Sequence, residues 1–282
     1  MIDLSFLREL DRFNLIIRKK VTSSYSGERT SVAYGKGLVF KDFQPYTPGD
    51  DFRAIDWKVY ARTEGLFIRR YEEDRNITVR IILDASASMD YGTPTRKFDY
   101  GSMIGLGFLY MALKNNENFE FTTFSEKLNP FRARKGMKQL AEVIDYLNSM
   151  DVKGKSDFED SLRSYKKMIH SKSLIIIISD FLFDVDELKN TLKRFRRSEV
   201  MVVQVLDPAE RHISLHGDTI LEDSETKNVI RTYLSNRTIN EYQDRLESHI
   251  FEMDELCKKL NAKFISVTTN QPIFDIFYTL MR

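Results

Sequence analysis

The segment "SLIIIISD", Ser173–Asp180, constrains the fold more than any other part of the chain. Its apolar residues do not alternate with polar ones, so neither face of the strand can be left to water. Such a strand belongs inside a sheet covered on both sides, which requires a mainly parallel sheet with helical crossovers. Two further runs read the same way: the strand Thr78–Leu83, ending at Asp84, and "EVMVVQVLD", Glu199–Asp207. Between and beyond these runs apolar residues recur at helical spacing. The pattern predicts helices over Arg96–Lys114, Met137–Asn148, Phe158–His170, Asp184–Arg197, Asn236–Leu260 and Ile273–Met281. Shorter strands are expected at Asn118–Thr123 and Lys263–Val267, an edge strand at Lys127–Arg132, and a hairpin turning at Glu225–Asn228. This order predicts an α/β fold with a three-layer, mostly parallel, doubly wound sheet.

The first 76 residues follow another pattern. Leu4, Leu7, Leu10, Phe13, Ile16 and Ile17 have helical spacing, so residues 4–19 are expected to form an amphipathic helix. A Ser/Thr/Gly-rich loop over 21–35 follows, then irregular or short extended structure punctuated by Pro45, Pro48 and Gly49. The stretch from Leu66 reads as a strand or hairpin feeding Thr78–Leu83. The boundary is therefore drawn near Asn76. Residues 1–76 form an N-terminal extension, an arm or small lobe packed on the domain of residues 77–282.

Several function classes lose support on composition. Among 282 residues the net charge is +1, which demands neither nucleic acid nor an acidic membrane. No window approaches the roughly 20 apolar residues of a membrane span. The first residues mix charge into their apolar pattern and do not resemble a secretory signal. The single cysteine, Cys257, leaves no intrachain disulfide and fits a reducing cytoplasm.

Chemistry in open α/β sheets gathers beyond the carboxyl ends of the strands, where the strand order reverses. Two buried strands end there in aspartate, Asp84 and Asp180, and "GKSD", Gly154–Asp157, opens a helix. Asp84 begins "DASAS", in which Ser86 and Ser88 follow at alternate positions. Three readings compete for this stretch: a phosphorylated aspartate, a serine nucleophile and a metal loop. The first lacks a second carboxylate at position 86. The second lacks a G-x-S-x-G elbow and a histidine at a strand end. The third suits Mg²⁺, which takes six oxygens and keeps several waters. Each residue also has a plainer role. Ser156 with Glu159 fits a capping box, and Ser86 and Ser88 could cap a turn.

"DASAS" resembles the Asp-x-Ser-x-Ser motif of von Willebrand factor A (vWA) domains, whose metal-ion-dependent adhesion site is completed by an acidic residue of the partner. Asp84, Ser86 and Ser88 match that motif, Ser156 stands where the family has threonine, and Asp180 matches the final aspartate. The departure at position 156 keeps the hydroxyl and loses the methyl group that restricts its rotamer. Upstream, "GKGLVFKDFQPYTPGDDFRAIDWKVYAR", Gly35–Arg62, resembles the signature that precedes the A domain in the bacterial family called domain of unknown function fifty-eight. That resemblance implies a MoxR-type AAA+ ATPase as partner.

Within this signature Asp50, Asp51, Arg53, Asp56 and Trp57 have three readings: a structural plug with carboxylate–arginine pairs and a buried Trp57, a docking surface, or a carboxylate metal cluster. Together these features lead us to expect a non-enzymatic, cytoplasmic interaction module. Asp84, Ser86, Ser88, Ser156 and Asp180 would hold Mg²⁺ or Mn²⁺, and a partner's Asp or Glu would complete the shell. Its context would be assembly, maturation or stress-related remodelling. The alternative from another class is a Mg²⁺-dependent phosphoryl-transfer enzyme or nuclease using the same pocket.

Overall fold

The computed structural model describes residues 6, 8–11, 38–73, 78–115, 117–131, 137–169 and 173–280. The buried apolar runs become the middle of a six-stranded sheet. Its strands are β3 (Thr78–Asp84), β4 (Asn118–Phe124), β5 (Leu128–Phe131), β6 (Ser173–Ser179), β7 (Glu199–Leu206) and β10 (Lys263–Thr268). Their order is β10-β7-β6-β3-β4-β5, parallel throughout except for the edge strand β5, which pairs antiparallel with β4. Ile175 to Ile178 of β6 are fully buried. Side chains of this size contribute about 1.5–3 kcal/mol each when removed from water.

Helices cover both faces. The helices α4 (Phe158–Lys166), α5 (Val185–Arg194) and α6 (Asn236–Lys259) pack through Phe158, Leu162, Leu188, Leu192, Met253 and Cys257 on Ile82, Ile175, Ile177 and Val202. The other face takes α2 (Lys97–Lys114), flanked by α3 (Met137–Ser149) and α7 (Ile273–Leu280). Helix α2 lies close to the sheet because glycines face it. A Cβ on Gly101 would sit 3.0 Å from Ile178 Cγ2 and Leu83 Cδ1, and one on Gly105 would sit 2.9 Å from Ile81 Cγ2; one on Gly107 would instead sit 2.0 Å from Phe277 Cζ of α7. This seating puts Lys97, the first residue of α2, beside the carboxyl ends of β3 and β6. The result is a three-layer α/β fold.

The chain divides into two compact units at Asn76/Ile77, with residues 1–16 grouped with 77–282. Of the helix expected over residues 4–19, Phe6 and residues 8–11 are helical and the remainder lies outside the described residues, as do Gly35 and Gly37. Asp11 accepts a hydrogen bond from Tyr110 Oη and pairs with Lys114 at 2.9 Å. In the other unit β1 (Leu38–Pro45) pairs antiparallel with β2 (Phe67–Glu73). The strand expected from Leu66 forms as β2, and its partner is β1. One expectation needs correction here. The stretch after Pro48, expected to be irregular, contains a 3-10 turn at Phe52–Ala54 and a true helix, α1 (Trp57–Thr63). Asp56 starts that helix by accepting the Lys58 and Val59 N–H groups at 2.9 and 3.3 Å, and Glu64 ends it in the left-handed region at φ 56°. The hairpin of β8 (Gly217–Glu222) and β9 (Val229–Leu234) stands apart from the main sheet.

Candidate metal centre

The strand order reverses between β3 and β6, and Asp84 and Asp180 sit just there, at the ends of the two strands that flank the crevice. Asp84 is completely buried. Its Oδ1 accepts the Ser86 N–H at 2.8 Å, and its Oδ2 accepts the hydroxyls of Ser179 at 2.8 Å and Ser156 at 3.1 Å. Ser86 is buried too, and its Oγ lies 3.1 Å from Ser88 Oγ. The loops are tied by backbone: Ala87 N–H donates to Gly154 O at 2.9 Å and Ala85 N–H to Phe124 O at 2.7 Å. Asp84, Ser86, Ser88 and Ser156 thus form one hydrogen-bonded cluster.

The capping-box reading of Ser156 fails. Asp157 is the residue before α4, and no side chain caps that helix. The Ser156 hydroxyl turns inward to Asp84, while Glu159 binds Arg163, Arg194 and Asn190.

Electrostatics distinguish the two aspartates. Burial, and then the neighbouring Asp180 charge, push the Asp84 carboxyl up to about 6, against the lowering effect of its bonds from Ser86 and Ser179. Asp180 instead meets a cation. Lys97 Nζ, itself buried, donates to Asp180 Oδ2 at 2.9 Å and to Glu210 Oε1 at 2.6 Å. Burial works against the Lys97 charge, but Asp180 and Glu210 outweigh it and hold its pKa above the ordinary value. Glu210 is fixed by a capping box, its Oε2 accepting the Asp207 N–H at 2.8 Å. The chain after Asp180 is equally determined. Phe181 takes a left-handed φ of 51°, its carbonyl oxygen meets a His249 ring nitrogen at 2.7 Å, and Gln204 Nε2 donates to Asp180 O at 2.9 Å. A strained, non-glycine residue beside a buried carboxylate pair is a common property of functional sites.

Among the described residues no three His, Cys, Asp or Glu side chains are arranged to hold a metal ion by themselves. Any ion here depends on hydroxyl oxygens. The donor set fits a small hard cation on two counts. Cis ligands of an octahedral Mg²⁺ are about 3.0 Å apart, given bonds of about 2.1 Å, and Ser86 Oγ and Ser88 Oγ are 3.1 Å apart. Around them the carboxylates of Asp84, Asp180 and Glu210 gather about the Lys97 ammonium, an arrangement whose negative charge a divalent ion would help balance.

The signature residues of the smaller unit have structural roles that differ in detail from the plug expected of them. Asp50 accepts the Thr47 N–H and Oγ1 at 3.0 and 2.7 Å, Asp51 accepts the Arg53 N–H at 3.0 Å, and Asp56 caps α1. The three carboxylates organise turns. Trp57 does not bury against a sheet: it is 52% exposed, in edge contact with Phe52 and Tyr60.

Sequence reasoning missed Ser179, Lys97, Glu210 and Glu225, whose Oε1 accepts the Ser156 N–H at 3.3 Å. Glu210 had a signal, since it follows the third buried strand by four residues. Lys97, in "TPTRKFDY", reads as an ordinary solvent-facing lysine.

Comparison with known proteins gives the chain its kinship. It is 23% identical over 271 residues to the uncharacterized proteins Rv1480 of Mycobacterium tuberculosis and Mb1516 of Mycobacterium bovis, covering 93% of this chain and 84% of each of them. It is 24% identical over 102 residues to YeaD of Bacillus subtilis, covering 36% of this chain and 24% of YeaD. Among solved structures, an aerotolerance-related membrane protein from Bacteroides fragilis aligns with a TM-score of 0.47 and 16% identity over 73% of this chain and 96% of that one. The family profile described as "Protein of unknown function DUF58" matches residues 42–250, and the chain belongs to that family.

Proposed function

We propose that this protein is a non-enzymatic, metal-dependent interaction module of vWA type. Asp84, Ser86, Ser88, Ser156 and Asp180 would hold Mg²⁺ or Mn²⁺, and an acidic residue of a protein partner would take the remaining position. The observation that carries this reading is the cluster around one buried carboxylate: Asp84 accepts the Ser86 N–H and the Ser156 and Ser179 hydroxyls, and the Ser86 hydroxyl meets that of Ser88. When bound, the ion supplies a Lewis-acidic position for a carboxylate oxygen.

The protein's own residues supply the rest. Ser179 and the Ser86 N–H fix both oxygens of Asp84, so that carboxylate is presented as a held charge and not as a nucleophile. Lys97 neutralises Asp180 in part, which keeps the site from becoming so anionic that an incoming carboxylate is repelled. These features favour the binding reading over phosphoryl transfer. Following the family resemblance, we assign the partner as a MoxR-type AAA+ ATPase or a client it remodels, working in the cytoplasm. Among the described residues no helix is long and apolar enough to cross a membrane.

The test combines Mn²⁺ binding measured by calorimetry with capture of the partner ATPase in Mg²⁺ or EDTA, for wild type and Asp84→Ala. Capture that needs Mg²⁺ and Asp84 together supports the reading. Capture unchanged in EDTA, or in the variant, refutes the metal-bridged mechanism.

A further inference from the structure

The β8–β9 hairpin reaches the metal centre in a way the function above does not use. Its turn is built to present one side chain. Asp223 Oδ1 accepts the Glu225 and Thr226 N–H groups at 2.8 and 2.9 Å, and the turn closes with Lys227 in the left-handed region at φ 60°. Glu225 therefore projects from a tip that is locally fixed. Its Oε1 accepts the N–H of Ser156, the residue whose hydroxyl binds Asp84. The charges around it are Asp180 and Asp223, which oppose its own, and Lys155, which favours it.

This placement is costly as it stands. A further carboxylate, beside Asp84, Asp180 and Glu210, enters the field of Asp180 with one backbone N–H as its hydrogen-bond partner there. Apolar burial does not explain it: within residues 217–234 only Leu234 is buried, while Ile220, Val229, Ile230 and Tyr233 are each more than 60% exposed. The base of the hairpin begins at Gly217, with φ 95° and no atom within 4 Å of where a Cβ would lie. A divalent cation held by Ser156 and its neighbours would turn the repulsion into attraction.

We propose that Glu225 is the carboxylate that completes the metal centre while no partner is bound, making the β8–β9 hairpin a built-in competitor of the partner's acidic residue. The inference rests on the metal reading above. A partner then binds by displacing the tip, and the affinity it achieves is reduced by the tethered carboxylate.

The test uses the full chain as wild type, Glu225→Gln and Asp84→Asn, with Mn²⁺ and Mg²⁺ as the only probes. Three results are expected. Glu225→Gln weakens Mn²⁺ about tenfold, the low end for losing a partner of a metal site. It raises the water-proton relaxation enhancement of the bound Mn²⁺, because water enters the position the carboxylate leaves. Mg²⁺ slows amide exchange over residues 223–228 in wild type and not in Glu225→Gln. If both proteins bind Mn²⁺ at a site that Asp84→Asn abolishes, yet show the same relaxation and the same hairpin exchange, the Glu225 inference is overturned and the metal reading survives. If wild type shows no Asp84-dependent binding, both are overturned.

Discussion

Replacing Asp84 by asparagine should make the metal-free protein more stable and the metal-loaded protein less so. Asp84 is completely buried, and its carboxyl is raised from 3.8 to about 6. At pH 7.5 the group is ionised in the folded and the unfolded chain alike, so the upward shift is a destabilisation of about 3 kcal/mol. Asparagine removes it. Against this stands one hydrogen-bond conflict. The amide must turn its oxygen to the Ser86 N–H, leaving its NH₂ to face the hydroxyls of Ser156 and Ser179. Ser156 can rotate to accept. Ser179 already accepts the Phe181 N–H at 3.2 Å and loses the acceptor for its own proton, a cost of about 1 kcal/mol. The net expectation in EDTA is a gain of about 2 kcal/mol for Asp84→Asn, read as a rise of roughly 4–8 °C in thermal unfolding followed by circular dichroism.

With Mg²⁺ at a hundred times its dissociation constant, wild type gains about 2.7 kcal/mol and the variant nothing, so the order reverses. The pH dependence in EDTA has a fixed sign. Between 3.8 and about 6 the folded wild type holds a proton that the unfolded chain releases. The stability of wild type relative to the variant is therefore highest below that window and falls as pH rises through it. A variant that is less stable than wild type in EDTA at pH 7.5, or that keeps the Mg²⁺ gain, would refute the reasoning.

Two other substitutions probe the surroundings. Lys97→Met leaves Asp180 and Glu210 facing each other in a buried pocket and should cost about 3–5 kcal/mol in EDTA; thermal unfolding should show Mg²⁺ restoring more stability to this variant than it adds to wild type, and a variant within 1 kcal/mol of wild type would mean the buried ammonium is not what balances the pocket. Gly107→Ala drives a methyl group into Phe277 and should cost about 3 kcal/mol in urea unfolding, with partial recovery in the double variant Gly107→Ala/Phe277→Leu. A Gly107→Ala protein as stable as wild type would show that α7 can shift away from α2 at little cost.

What could be read from the sequence follows a physical division. Ser173–Ser179 had to be a central strand because no sheet with a wet face tolerates four consecutive isoleucines, and Asp84 and Asp180 were conspicuous because charge ends such runs abruptly. Those inferences use only local composition and the geometry of strands. The errors came where one local pattern had two physical outlets. Ser156 and Glu159 have the spacing of a capping box, but a serine hydroxyl within reach of a buried carboxylate does more there than at a helix end that water can also satisfy. Strand β2 has the composition of a strand and no residue that names its neighbour, so its pairing with β1 was not legible. The short helix α1 rests on the Asp56 cap more than on an apolar stripe, and the surrounding prolines and glycines obscured it.

Lys97 and Glu225 are the deeper case. Each is an ordinary surface residue by type, one in the first turn of a helix and the other in a hairpin turn, and each takes its meaning from a loop at least 69 residues away, Lys97 from Asp180 and Glu225 from Ser156. Both bear on the charge of the pocket. Lys97 limits its negative field from within, while Glu225 adds to it from the tip of the β8–β9 hairpin. A site built only from the strand-end oxygens would have one state. On the proposal that Glu225 is displaceable, affinity for an acidic partner becomes a difference between two carboxylates competing for one position, and the length and stiffness of the β8–β9 hairpin enter that difference directly.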